Sequence, residues 1–205
     1  IGSASSAFNL PPLGYLYDLY SGNNALQPET ARSAELGVQW AQDGQVVRAT
    51  VFKTRISNLL QYDFSTSKFN NVTNAANKGV EVSYSGKIAG ADVRSSLTLQ
   101  DPVDESTGQR LIRRARTMAS LGVSLPLGQW TLGGDLRYTG ARPDTSTHPA
   151  LSAYTLANLT ARYTLTPEIA LTARVENLFD RHYQTAYGYN QAGRSAYVGI
   201  VWNQK

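Results

Sequence analysis

Cysteine is absent from the 205-residue chain, which removes disulfide frameworks, thiolate metal sites and cysteine nucleophiles together. Long apolar runs are absent too. No stretch approaches the roughly 18–20 residues that a spanning helix requires, so any membrane crossing must be made by strands. Charged residues are scarce, at 17%, and the net charge of +4 is scattered along the chain. No basic block points to nucleic acid. Phenylalanine is outnumbered, with 5 Phe against 12 Tyr and 3 Trp, a bias towards aromatics with a polar end that suit a lipid–water boundary. The opening residues Ile1 to Ala7 lack an initiator Met, a basic region and an apolar leader. The numbering is therefore expected to start inside a longer chain.

What is present is a period of two. Ala91, Val93, Ser95, Leu97 and Leu99 fall on one face of an extended segment, with Asp92, Arg94, Ser96 and Thr98 on the other. Trp130 to Thr139, Asn158 to Leu165 and Ile169 to Glu176 repeat the pattern, as strands with one apolar and one polar face do. The pattern predicts strands at 31–42, 46–58, 79–86, 91–99, 114–125, 130–139, 154–165, 169–178 and 195–202, after a fragmentary one at 1–8. A soluble sandwich would alternate in the same way.

The connections separate the two. Short turns (Asp43-Gly44-Gln45, Lys87 to Gly90, Pro126-Leu127-Gly128, Thr166-Pro167-Glu168) alternate with long polar segments at 9–30, 59–77, 100–112, 140–153 and 180–194. In an up-and-down meander every short turn then lies at one end and every long loop at the other, the asymmetry of outer-membrane barrels. Trp40, Tyr84, Trp130, Tyr163 and Trp202 stand near the short-turn end, and Tyr138, Tyr154 and Phe179 near the long-loop end. They are expected to form the two aromatic girdles of such a barrel. Glu35, Arg48, Glu81, Asp92, Arg94, Arg114, Arg116, Asp135, Arg137, Arg162, Arg174 and Glu176 fall opposite the apolar face, where a wet or plugged lumen tolerates mixed charge. The expected fold class is all-β, an antiparallel up-and-down transmembrane β-barrel of about ten strands. Whether those strands make a small complete barrel or part of a large one is left open by the pattern.

No catalytic constellation is found. His148 and His182 lie in different loops at no metal-ligand spacing. Asp101, Asp104 and Glu105 form a small acidic cluster for which calcium is the only metal worth weighing against plain solvation. Neither a cofactor nor a metal is expected.

Three segments resemble TonB-dependent outer-membrane receptors: Glu176-Asn177-Leu178-Phe179-Asp180 with Tyr183, Leu26-Gln27-Pro28-Glu29-Thr30 followed by Glu35-Leu36-Gly37, and Asn77-Lys78-Gly79-Val80-Glu81. Pro12 to Tyr17, Leu111 to Ala115 and Tyr187 to Arg194 are similar to the cobalamin-transporting branch of that family. The resemblance implies that residues 1–205 are the C-terminal part of a 22-stranded plugged barrel in the outer membrane of a Gram-negative bacterium. It implies a single-copy receptor rather than an enzyme, importing cobalamin and energised through TonB and a TonB box lying upstream. A ferric siderophore as ligand, and a small passive pore, are the alternatives. By the same resemblance Arg113 and Tyr189 match positions that touch ligand, with Arg114 and Tyr187 as neighbouring candidates. An arginine at a loop–strand junction can donate to amides or phosphate, and a tyrosine offers a flat face to a large ring system. One departure is the tail Asn203-Gln204-Lys205 after Trp202, where the family usually finishes on an aromatic.

Overall fold

The computed structural model describes residues 1–145 and 147–203, the side chains of Val72 and Thr73 excepted. Gln204 and Lys205, the end of the expected tail, lie outside the described residues. The chain forms β1 (Gly2–Asn9), a short helix α1 (Leu13–Tyr17), β2 (Glu29–Gln42), β3 (Gln45–Asp63), β4 (Lys68–Ile88) and β5 (Ala91–Asp104). It continues through β6 (Thr117–Leu127), β7 (Trp130–Thr139), β8 (Tyr154–Thr164) and β9 (Ile169–Glu176). A small hairpin, β10 (Gln184–Ala186) with β11 (Tyr189–Asn190), precedes β12 (Ser195–Trp202). Ten strands make one antiparallel sheet in the order β1-β2-β3-β4-β5-β6-β7-β8-β9-β12, each beside its neighbour in sequence. This is the expected meander, and the sheet is an open wall with β1 and β12 at its edges.

The register places the alternating residues as the sequence implies. Trp40 lies opposite Val47, Val47 opposite Tyr84, Tyr84 opposite Ser95, Ser95 opposite Leu121, Leu121 opposite Leu136 and Leu136 opposite Ala157. Trp40 is two residues from the end of β2 (42 − 40), whereas Ala157 is seven from the end of β8 (164 − 157). The row climbs by about one residue per strand, the stagger of a tilted barrel wall. Ten residues of β7, at about 3.3 Å each and tilted by about 40°, rise about 25 Å, the height of an outer-membrane apolar band. Leu36, Val38, Val51, Val80, Val82, Leu97, Leu99, Leu132, Leu136, Leu159 and Leu171 stand exposed on the outer face, which is where lipid belongs. The inner face carries Arg48, Glu81, Arg94, Asp135, Arg137, Arg162 and Arg174. Asp135 accepts from Asn158 at 2.9 Å and pairs with Arg137 at 3.3 Å, while the Arg174 guanidinium lies 4.3 Å from the Tyr197 ring.

The lower girdle takes shape at the short-turn end. Trp130 packs on Tyr163 with ring centroids 4.8 Å apart, and the Tyr163 hydroxyl donates to Gln129 at 2.6 Å. Trp40 and Trp202 are exposed on the same outer face. The first turn is a two-residue hairpin with positive φ at both Asp43 (50°) and Gly44 (74°), the primed turn that matches strand twist and favours Asp-Gly. Gly79 has a different reason. A Cβ there would stand 2.3 Å from the Leu99 carbonyl and 2.7 Å from the Phe52 ring, so Gly79 makes room for Phe52 on the inner face.

Four expectations need correction. The segment at 59–77 is not a loop. β3 runs on to Asp63 and β4 starts at Lys68, making a tall hairpin. The alternation fades there because polar residues fall on both faces, and the hairpin is braced by the β1–β2 connection, with Tyr15 stacked on Phe69 at 3.7 Å, and by side-chain amides. Asn71 donates to the Asn58 and Gln27 carbonyls at 2.6 and 3.0 Å, and Asn23 to the Phe69 carbonyl at 2.9 Å. Likewise β5 extends to Asp104, into the segment expected to be a loop at 100–112. Arg114 and Arg116 precede β6 instead of lying in it, and Arg116 pairs with Asp101 at 2.5 Å on the outer face. Tyr154 is opposite Thr139 on the inner face, so it belongs to the loop cluster and not to the upper girdle.

The two faces differ in what they tolerate. Leu97→Arg on the lipid face is expected to lower stability by about 2–4 kcal/mol in a bilayer, and Thr98→Arg next to it far less. Denaturant unfolding of the full-length protein from lipid vesicles would compare the two.

Candidate functional site at the long-loop end

Above the band one buried carboxylate joins three of the long connections. Asp144, in the connection after β7, has a side chain with no exposure. Its Oδ1 accepts from Arg113 Nε at 2.8 Å and from its neighbour Thr145 N at 3.0 Å, and its Oδ2 accepts from Tyr187 N at 2.6 Å. Arg113 belongs to the connection between β5 and β6, and Tyr187 to the β10–β11 turn. Burial alone would favour protonation of Asp144. The Tyr187 amide, the Arg113 guanidinium bond and charge, and the Thr145 amide outweigh it, and the carboxyl is held below the ordinary aspartate range.

Arg113 is held in turn. Its backbone sits in the left-handed region at φ 59°, and its N–H donates to the Pro143 carbonyl at 2.7 Å. With Nε engaged by Asp144, the two terminal nitrogens of its fork remain on a side chain that is 43% exposed. Tyr187 stacks on His148 with centroids 4.4 Å apart and planes 12° apart, and His148 Nδ1 lies 2.7 Å from the Thr145 hydroxyl. Arg142 is buried beside this cluster. Its Nη2 donates to the Gln184 carbonyl at 2.7 Å and its guanidinium lies 5.3 Å from the Tyr154 ring, which itself packs on Tyr183 at 4.4 Å. Between these loops lies a cavity of about 290 Å³ lined by Pro149 to Tyr154, Arg181 to Gln184, Tyr187 and Asn190.

The segment Glu176 to Asp180 is the staple of the last loop. Asn177, buried with φ 50°, accepts from Arg181 N at 2.7 Å and donates to the Arg181 and Ala192 carbonyls at 3.0 and 3.2 Å. Its own N–H reaches the Asn158 side chain at 2.8 Å, and Asp180 accepts from Arg194 N at 2.8 Å. A short amide at position 177 thereby closes the base of a loop returning at Ala192.

Of the residues expected from sequence, Arg113 and Tyr187 are joined through Asp144. Tyr189 lies two residues beyond Tyr187 on the same small hairpin, 70% exposed. Arg114 is exposed and makes no hydrogen bond or ion pair among the described residues. Asp144, Arg142 and His148 were not anticipated as parts of the site. The one signal was Arg142-Pro143-Asp144, a cation and an anion flanking a proline, which reads equally as an ordinary turn. The acidic cluster is spent on other partners: Asp101 on Arg116, Glu105 on Arg55 at 2.6 Å, and Asp104 on the Ser106 amide at 2.8 Å. No group of three metal-capable side chains gathers among the described residues.

A staggered antiparallel wall with an apolar outer face, a charged inner face and a loop cluster at one end defines an outer-membrane β-barrel receptor. The chain belongs to the TonB-dependent receptor family: residues 1–178 match the family model described as TonB dependent receptor-like, beta-barrel. It is 36% identical over 207 aligned residues to the vitamin B12 transporter BtuB of Vibrio cholerae serotype O1, covering 97% of this chain and 33% of that protein. It is 32% identical over 203 residues to BtuB of Vibrio vulnificus, covering 97% and 32%. The chain thus spans about a third of the length of these relatives. Among solved structures it is similar to the copper transporter OprC (TM-score 0.84, 18% identity, 98% of this chain and 35% of that one). It is also similar to the ferric enterobactin receptor PfeA of Pseudomonas aeruginosa (TM-score 0.80, 21% identity, 98% and 37%). Membership places the chain in the Gram-negative outer membrane, as part of the β-barrel of a receptor.

The Asp144 clamp has a pH signature. A carboxyl whose folded pKa is depressed contributes stability that is full above its unfolded value and lost as pH falls through the folded one. Protease cleavage of the 177–194 loop is expected to rise as pH drops below about 3.9. Asp144→Ala, leaving Arg113 and the Tyr187 amide unpaired, is expected to open the loop already at pH 7, at a cost of about 1–3 kcal/mol. Limited proteolysis with an acid-tolerant protease, read by mass spectrometry, checks both outcomes.

Proposed function

We propose that the full-length protein is an importer of cobalamin, with this chain as the C-terminal part of a 22-stranded barrel that acts as a single copy. Energy would reach it through TonB, by way of a plug and TonB box outside this chain. The observation that carries the reading is the 36% identity to a vitamin B12 transporter across 97% of the chain. The aligned span takes in the loops as well as the strands. The chemistry of the loop end is compatible: a fixed guanidinium with free terminal donors, and exposed tyrosine faces at Tyr187 and Tyr189. Together they suit a large, flat, amide-bearing ligand.

A ferric siderophore is the second reading, because the similar solved structures include receptors for ferric enterobactin and pyoverdine. Those likenesses, at 21% identity, speak for the fold, which the readings share. Equilibrium binding of cyanocobalamin and of ferric siderophores to the full-length receptor in detergent distinguishes them. Submicromolar binding of cobalamin alone is the expected result, and binding of a ferric siderophore alone would transfer the assignment. Within the cobalamin reading, Arg113→Ala and Tyr189→Ala are each expected to weaken binding about tenfold, equivalent to about 1.4 kcal/mol. Arg114→Ala is expected to change it less.

A further inference from the structure

Just beyond the apolar band, on its long-loop side, the outer face of the wall turns basic. Two residues past the row Leu36–Val51–Val80–Leu99 comes Ala34–Lys53–Lys78–Asp101. In the next row Arg32 lies directly opposite Arg55. Lys53 is likewise directly opposite Lys78. Like charges facing each other across strands destabilise a sheet, and here two such pairs sit side by side on three adjacent strands.

The protein supplies too little counter-charge. Glu105 pairs with Arg55 and Asp101 with Arg116. Arg32, Lys53 and Lys78 make no ion pair among the described residues. With Arg116 the patch holds five cations against two carboxylates, a net +3 (5 − 2). All five basic residues are exposed. None of them lies in the loop cluster around Asp144.

We infer that this patch binds the phosphorylated headgroup of an outer-leaflet lipid whose acyl chains lie on the apolar band below. The continuity of the two surfaces selects a lipid over a free anion. Leu36, Val51, Val80 and Leu99 would take the chains, and Arg32, Lys53 and Lys78, reaching up along the wall, would take the phosphates. Bound phosphate turns each repulsive pair into two cations sharing an anion, which relieves the conflict built into the register.

The test uses the full-length receptor in nanodiscs of phosphatidylethanolamine, with or without diphosphorylated lipid A. The comparison is with Arg32→Gln/Lys53→Gln/Lys78→Gln. Native mass spectrometry is expected to find lipid A retained about tenfold more tightly by the wild type. The single variant Lys78→Glu, which sets an acid opposite Lys53, gives a second readout should the triple variant not fold. In lipid-free detergent it is expected to melt higher than the wild type, and in lipid A discs to lose the wild type's gain. Equal lipid A retention by wild type and triple variant would overturn the inference. So would equal stabilisation of the wild type by inorganic phosphate.

Discussion

In hydrocarbon an unpaired backbone amide or carbonyl costs several kcal/mol, and no water is at hand to satisfy it. The rest of this wall follows from that constraint. Each strand must be paired along its whole membrane height, and neighbours in sequence are the pairs that the shortest turns supply. The result is the uncrossed order of the ten-stranded sheet. Pairing in register then forces side chains to alternate between lipid and lumen, because successive residues of a strand point to opposite faces. An apolar band and a polar interior come from one backbone requirement.

The long-loop end is freed from that requirement and is organised differently. Above the band, backbone groups can meet water, so the chain can leave the sheet, and order there comes from individual polar side chains. Asp144 gathers three loops, Asn177 closes one, and Asn71 braces the tall hairpin. Because a buried carboxylate is stable only when its partners are all present, the Asp144 contacts form or fail together. Arg113 and Tyr187 are thereby presented by a rigid cluster, although both lie in loops. Pre-organisation of this kind reduces the entropy that a ligand must overcome on binding.

The outer border shows the same logic in reverse. Within the band no charge is tolerated on the lipid face, and the register there is uniformly small or apolar. A few ångströms higher the register allows Lys53 opposite Lys78 and Arg32 opposite Arg55. Such opposition would weaken a sheet in water, and it is acceptable where the surrounding medium is itself anionic. The wall thus carries a record of three environments along a single strand.

How much was legible beforehand depends on whether local pattern carried the information. Strand existence, order, the facing of Leu97 against Thr98 and the lower girdle at Trp130 and Tyr163 were readable, because alternation and turn chemistry are local. The tall β3–β4 hairpin was not, since polar and apolar residues mix on both of its faces, with Leu59 beside Leu60, and show no period. Tyr154 was misplaced because position along a strand was read without its parity. At the site, Arg113, Tyr187 and Tyr189 were reached through family likeness, whereas Asp144 was invisible: a loop aspartate becomes a hub only when residues 31 and 43 positions away are folded against it. The sequence by itself determined the wall, because a bilayer converts a period of two directly into inside and outside. Only the tertiary structure decided the loop clamp and the opposed cations, because those depend on register and on contacts between segments distant in the chain.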